Sequence, residues 1–191
     1  MTSLSGLSVK TVLGDFLLEL GEVLRTDEAS AQEMFGSPLG LNDPRSWLEM
    51  ADYATQLGQF HDLLERPYFE NRAALLRLKA DAEDGPGSSR WTRSSISAYA
   101  GCAESAARSE AYAGAMQIAL AARRFRAITG YCPASVDEMS SVLPNPPIDP
   151  FTGMPFRYRI EGEGILVYSI GADGVDQGGA SGSDIAVRLS R

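Results

Sequence analysis

The stretch that most constrains this chain is its tail, Ile165 to Leu189, where two short β-type runs bracket a loop crowded with glycine and aspartate. The runs are Ile165 to Ile170 and Ile185 to Leu189. Between them lie five glycines (Gly171, Gly174, Gly178, Gly179, Gly182) and three aspartates (Asp173, Asp176, Asp184). Flanking strands hold the loop ends together, so the carboxylates either converge or splay into water. The glycines supply the tight, positive-φ turns such a loop requires. Aspartate oxygens and exposed carbonyls are hard ligands of the kind Ca²⁺ prefers. The spacing is not that of an EF-hand, since D-x-D-x-D-G and the closing glutamate are missing. On composition alone, a polar loop in which Asp and Gly serve only turn geometry accounts for the same residues.

The remaining strands and the helix that would carry them precede this tail. From about Ser94 to Thr129 runs a long alanine-rich helical pattern with two apolar stripes. Tyr99, Cys102 and Ala106 form one stripe; Ile118, Ala121, Phe125 and Ile128 form the other. Gly101 and Gly114 weaken it locally. Gly130 is placed to end it as a C′ residue, and Arg123, Arg124 and Arg126 suit the negative end of its dipole. Ser135-Val136-Asp137-Glu138 matches a capping box, which predicts a short helix from Val136 to about Leu143. Pro144, Pro146, Pro147 and Pro150 then exclude regular structure, and Asp149 to Pro155 reads as a pure turn. Phe156 to Ile160 alternates apolar and basic residues, predicting a half-buried strand with Phe156, Tyr158 and Ile160 toward the helix. Glu161 to Gly164 is a hairpin loop. The expected class is α+β: a three-stranded antiparallel sheet packed on one long helix, preceded by a small helical unit.

Five segments, in order, carry a resemblance over roughly the last seventy residues. They are Ala121 to Pro133, a helix end followed by G-Y-x-P; Asp149-Pro150-Phe151-Thr152-Gly153-Met154-Pro155-Phe156-Arg157-Tyr158; Tyr168 to Gly174; Gly178-Gly179; and Asp184-Ile185. Together they resemble the globular part of the major pseudopilin of type II secretion systems, a type IV pilin-like head. The resemblance implies a non-catalytic assembly component with a Ca²⁺-binding C-terminal loop. It would work with protein partners or copies of itself in a periplasmic or other extracytoplasmic setting. By that resemblance Asp173 and Asp184 would hold one Ca²⁺, with Asp176 or Ser181 and backbone carbonyls completing the shell. Two departures stand out. The stretch after Gly178-Gly179 is Ala180-Ser181-Gly182-Ser183, with less charge for a cation than the family often carries. No residue between Arg159 and Arg188 is basic, so carboxylates converging in an empty loop would repel each other. Zn²⁺ lacks Cys or His ligands there, and a flexible glycine loop suits Ca²⁺ better than Mg²⁺. With several neutral ligands, a Kd of order 10⁻⁴ to 10⁻³ M is expected.

The other departure is at the N-terminus. No run reaches the ~20 apolar residues that span a bilayer. Phe16 to Leu24 is interrupted by Glu19, Gly21 and Glu22. No signal peptide is visible, and Gly14 to Glu19 does not meet the prepilin cleavage pattern. The expectation is a head whose anchor is missing from this chain; the alternative is a soluble interaction or adaptor module that keeps the fold without filament assembly.

The first part of the chain reads as helical: Val9 to Leu24 has helical spacing, and 29–44 is irregular. Asp43-Pro44 opens a helix with Trp47, Met50, Ala51, Ala54, Leu57, Phe60 and Leu64 on one face. Pro67 starts another, burying Leu75, Leu76 and Leu78 and ending near Glu83. Asp84 to Ser89 is a linker, giving a helical unit 1–84, a linker 85–90 and a head 91–191. A net charge of −8 argues against nucleic acid or anionic membrane as the main partner. The single histidine, His61, leaves no material for histidine triads or multi-histidine metal sites. No P-loop, G-x-S-x-G or dinucleotide fingerprint occurs, so no enzyme is expected. Finally, a continuous helix from Ser94 places Cys102 roughly 40 Å from its end at about 1.5 Å per residue. Cys132 sits just past that end, and a disulfide needs Cα atoms within about 7 Å, so no Cys102–Cys132 bond is expected.

Overall fold

A computed structural model of the chain describes residues 44–84, 90–180 and 182–190. The readings of the Val9–Leu24 helix, the irregular 29–43 stretch and the 85–89 linker, and any role of Ser181, lie outside the described residues. So do the side chains of Trp47, Met50 and Ala51. The described elements are helix α1 (Pro44–Leu64), helix α2 (Tyr68–Asp84), helix α3 (Arg90–Thr129), a 3-10 turn (Asp137–Met139), and strands β1 (Arg157–Glu161), β2 (Gly164–Ser169) and β3 (Ile185–Leu189). This is the α+β class, a long helix packed on a three-stranded antiparallel sheet after a helical unit. The chain forms two compact units, divided within α3 between Ala103 and Glu104.

In the first unit, Ala54, Leu57, Phe60 and Leu64 of α1 are buried at the 3-3-4 spacing of one helix face, with Tyr53 beside them. The first turns of α3 complete this core through Ile96 and Tyr99. The Tyr99 ring lies 5.8 Å from Phe60, and its hydroxyl lies 3.4 Å from that of Tyr53. Burial and the Tyr53 hydroxyl push the Tyr99 phenol well above the ordinary tyrosine range. Asn71, buried in α2, donates its amide to the Leu63 and Arg66 carbonyls, satisfying acceptors that the end of α1 leaves free. Two expectations are corrected. Leu76 is 49% exposed, because it stands about 100° around the helix from Leu75. Cys102 is also exposed; the buried stripe runs one residue on, through Ala103.

In the second unit, α3 buries Ala107, Ala111, Ala115, Ile118, Ala119, Ala122 and Phe125. Small residues let the helix approach the sheet, and at Gly114 a Cβ would lie 2.9 Å from the Phe156 ring, so this glycine also serves packing. Ile128, read as part of the same stripe, is 68% exposed. The sheet order is β1-β2-β3, with Val167 opposite Tyr158 on one side and Val187 on the other. Paired residues share a face. Ile165, Val167, Val187 and Ile185 therefore lie together toward α3, while Leu166, Arg159 and Arg188 lie on the opposite face. Ile160 shares the helix-side face but is 45% exposed on the edge strand, so only Phe156 and part of Tyr158 are covered as expected.

The capping box does not produce a helix. Glu138 does reach back, accepting from the Ala134 amide at 2.6 Å and from the Tyr131 hydroxyl at 3.1 Å, but Val136 occupies the cap position and only a 3-10 turn forms. Pro144 disfavours the α conformation at Leu143, and the prolines beyond it remove further donors, so the turn cannot propagate. Gly130, at φ +85°, closes α3 as expected, its amide donating to the Arg126 carbonyl. Helix α3 is unbroken between its ends, and both cysteines are free thiols.

Candidate functional site in the C-terminal loop

Part of the loop after Ile170 folds back over the sheet face opposite α3, while 173–177 stay exposed. Gly179 marks the contact: its φ is +77°, and a Cβ there would meet the Leu166 side chain at 2.8 Å. Burial of β2 on both faces follows, since α3 covers one and this loop covers the other.

Strand alternation then supplies what the loop's own sequence lacks, namely positive charge. Arg157 and Arg159 of β1 and Arg188 of β3 project from the covered face. Arg159 donates to the Gly178 carbonyl at 3.0 Å and Arg188 to the Gly179 carbonyl at 2.6 Å. Arg157 lies 3.6 Å from the Asp176 carboxylate, and Glu161 pairs with both Arg159 and Arg188. Loop acids thus meet cations brought by register rather than by sequence proximity. The Arg159 hydrogen bond holds the Glu161 carboxyl below its ordinary range.

The aspartates read as ligands occupy three different settings. Asp173 is exposed; Oδ1 accepts from the Val175 amide at 3.0 Å and Oδ2 from the Gln177 amide at 2.9 Å. Those bonds, the backbone one first, hold its carboxyl below the usual value. Asp176 is exposed as well, accepting from the Gly178 amide at 2.9 Å and the Tyr168 hydroxyl at 3.0 Å. The Gly178 amide, followed by the Tyr168 hydroxyl and Arg157, depresses its carboxyl, while burial raises the Tyr168 phenol. Asp184 differs from both. It is 7% exposed; Oδ2 accepts from the Gly179 amide at 2.6 Å, and Oδ1 is buried with no hydrogen-bond partner. A buried carboxylate oxygen without a donor is unfavourable by about 1–3 kcal/mol or more unless something fills the position. Among the described residues, no three His, Cys, Asp or Glu side chains converge on a metal position.

The donor chemistry nevertheless fits a hard cation in one respect. The loop offers only oxygen ligands, and Asp184 Oδ1 is one that no hydrogen bond uses. Asp173 and Asp176 retain lone pairs, although each carboxylate is already engaged in holding its own turn.

A second polar centre, which the sequence reading treated as turn chemistry alone, anchors the loop. Asp149 is 2% exposed. Its Oδ1 accepts from the Phe151 amide at 2.9 Å and the Ser169 hydroxyl at 2.8 Å, and Oδ2 accepts from the Thr152 hydroxyl at 3.2 Å. The Gly171 amide in turn donates to Ser169 Oγ at 3.0 Å. The turn role is real, and it extends through Ser169 to the first residue of the glycine loop. At the other end of the helix-side face, the Tyr158 hydroxyl donates to the Pro133 carbonyl at 2.8 Å, and burial pushes its phenol up to about 12. Arg126 donates to the Glu163 carbonyl at 2.7 Å, tying the end of α3 to the β1–β2 hairpin, while Arg123 and Arg124 stay exposed.

No helix of the described residues is long and apolar enough to cross a membrane. Compared with family models, with curated proteins and with solved structures, the chain matches none.

Proposed function

We propose that this chain is a non-catalytic assembly component whose second unit works as a pseudopilin-like head, with Ca²⁺ stabilising the C-terminal loop. The observation that carries this reading is Asp184 Oδ1, a buried, unpartnered carboxylate oxygen in a loop otherwise built from oxygen donors. The order of elements supports it: a long helix, a proline-rich connection, then a three-stranded antiparallel meander whose last connection is the Gly/Asp loop. Asp184 and Asp173 would hold the ion, with Asp176, Ser181 or backbone carbonyls completing the shell. The ion supplies positive charge to a desolvated carboxylate, and its binding free energy adds to folding stability by mass action.

The head would work by docking on protein, either copies of itself or a partner, in an extracytoplasmic setting. Tyr112, Leu120 and Ile128 remain exposed at separate positions around α3. Thermal melting of the wild type and of Asp173→Asn, in millimolar Ca²⁺ and then in chelator, tests the metal part. The expected result is a wild-type melting temperature that rises with Ca²⁺ and a smaller rise in the variant. A wild-type melting temperature indifferent to Ca²⁺ would leave a plain loop.

A further inference from the structure

Asp184 lines a cleft of about 470 Å³ together with Arg108, Ser109 and Tyr112 of α3 and Gly182, Ile185 and Ala186 around the start of β3. Two of these residues are charged, and they are of opposite sign. Asp184 is more than nine-tenths buried with one oxygen unpartnered. Arg108 is exposed and takes part in none of the ion pairs of the described residues. The other arginines around the loop are engaged: Arg157 with Asp176, Arg159 and Arg188 with Glu161 and loop carbonyls.

We propose that Arg108 is the tethered counter-cation of Asp184, and that a divalent cation entering the cleft must displace it. The inference rests on the reading of the loop as a cation-holding one, but it concerns a helix residue that the loop motif does not contain. A buried carboxylate needs a positive partner or several donors. The cleft has one guanidinium, that of Arg108 on the adjoining helix, whose long side chain has the rotamer freedom to turn toward Asp184. With Arg108 in place the loop is neutralised without metal. With metal in place the guanidinium is repelled into solvent and α3 is released from the loop. Arg108 therefore sets the cation affinity of the site, lowering it, and couples occupancy to the helix surface around Tyr112.

The test uses the full chain as wild type, Arg108→Met, Arg108→Lys, Asp184→Asn and the Arg108→Met/Asp184→Asn double variant. In chelator, Arg108→Met should lower the melting temperature in the wild-type background and leave it unchanged in the Asp184→Asn background. Arg108→Lys should restore most of the loss. Ca²⁺ titration followed by melting should show about tenfold tighter binding for Arg108→Met than for wild type, because a like charge has left the site. Equal shifts in both backgrounds, or none in either, overturn the pairing. Coupling in chelator with no Ca²⁺ response in any variant keeps the pairing and removes the displacement, along with the Ca²⁺ reading of the loop. Coupling with equal Ca²⁺ affinity in wild type and Arg108→Met overturns the displacement alone.

Discussion

Two buried aspartates, thirty-five residues apart, do opposite things in the same unit. Asp149 closes its turn completely, with three hydrogen bonds reaching its carboxylate from Phe151, Thr152 and Ser169. Asp184 closes only half of its own, accepting from Gly179 on one oxygen and from nothing on the other. Both are flanked by glycine or proline turns, and both sit at the end of an extended segment. The difference lies in the supply of donors. Around Asp149 a backbone amide and two hydroxyls are positioned by one tight turn and by the end of β2. Around Asp184 the cleft is lined by Ser109, Tyr112, Gly182, Ile185 and Ala186, none of which donates to Oδ1, and its one cation is Arg108. A satisfied buried carboxylate is architecture; a half-satisfied one is a vacancy for charge.

The largest effect that separates them is expected at Asp149. Asp149→Ala removes all three bonds and leaves the Ser169 hydroxyl and Phe151 amide without their acceptor, so urea unfolding should show a loss of about 3 kcal/mol or more. Asp184→Asn, by contrast, keeps an acceptor for Gly179 and removes a half-satisfied carboxylate. In chelator it should cost no more than about 1 kcal/mol, the lost pairing with Arg108 being offset by the smaller cost of burying a neutral amide. Near-equal losses at the two sites would erase the contrast.

An intermediate effect is expected at Gly179, the point where the loop lies on Leu166. Gly179→Ala places a side chain at positive φ and against a packed leucine, so a loss of about 2 kcal/mol is expected by urea unfolding. A neutral result would mean that the loop does not rest on the sheet face.

The smallest effect concerns acid. Asp173 and Asp176 have carboxyls depressed in the folded state, so their contribution is present above the unfolded aspartate value near ~3.9 and is lost as pH falls through the lower folded value. Asp176→Asn should therefore flatten the acid limb of a stability–pH profile slightly. Because the group is exposed and screened, the change is expected to be small, and 0.5 M salt should shrink it further. A steep change at neutral pH would place the cause elsewhere.

Local pattern made the three described helices, the three strands and the Gly130 stop legible in the sequence, since apolar spacing and glycine placement act over a few residues. What it did not reveal is what the fold brings from a distance. Ser169 reads as one polar residue in an apolar strand, and nothing near it points to Asp149 twenty residues earlier. Arg157, Arg159 and Arg188 read as the solvated side of two strands; only the register aims them together at a loop between Ser169 and Ile185. The loop's own lack of basic residues therefore overstated its repulsion. Stripe assignments on α3 missed by one residue at Cys102 and took in the exposed Ile128, because alanine marks a helix without marking its buried side.

The central claim is that Asp184 holds an open position for a cation. The most direct measurement is an NMR titration of the loop amides with Ca²⁺, following Gly178 and Gly179 in wild type and in Asp184→Asn. Saturable shifts of both amides in the wild type, with a midpoint of order 10⁻⁴ to 10⁻³ M and their loss in Asp184→Asn, are the expected result. Wild-type amides that do not respond, or an Asp184→Asn variant that titrates as the wild type does, would contradict it.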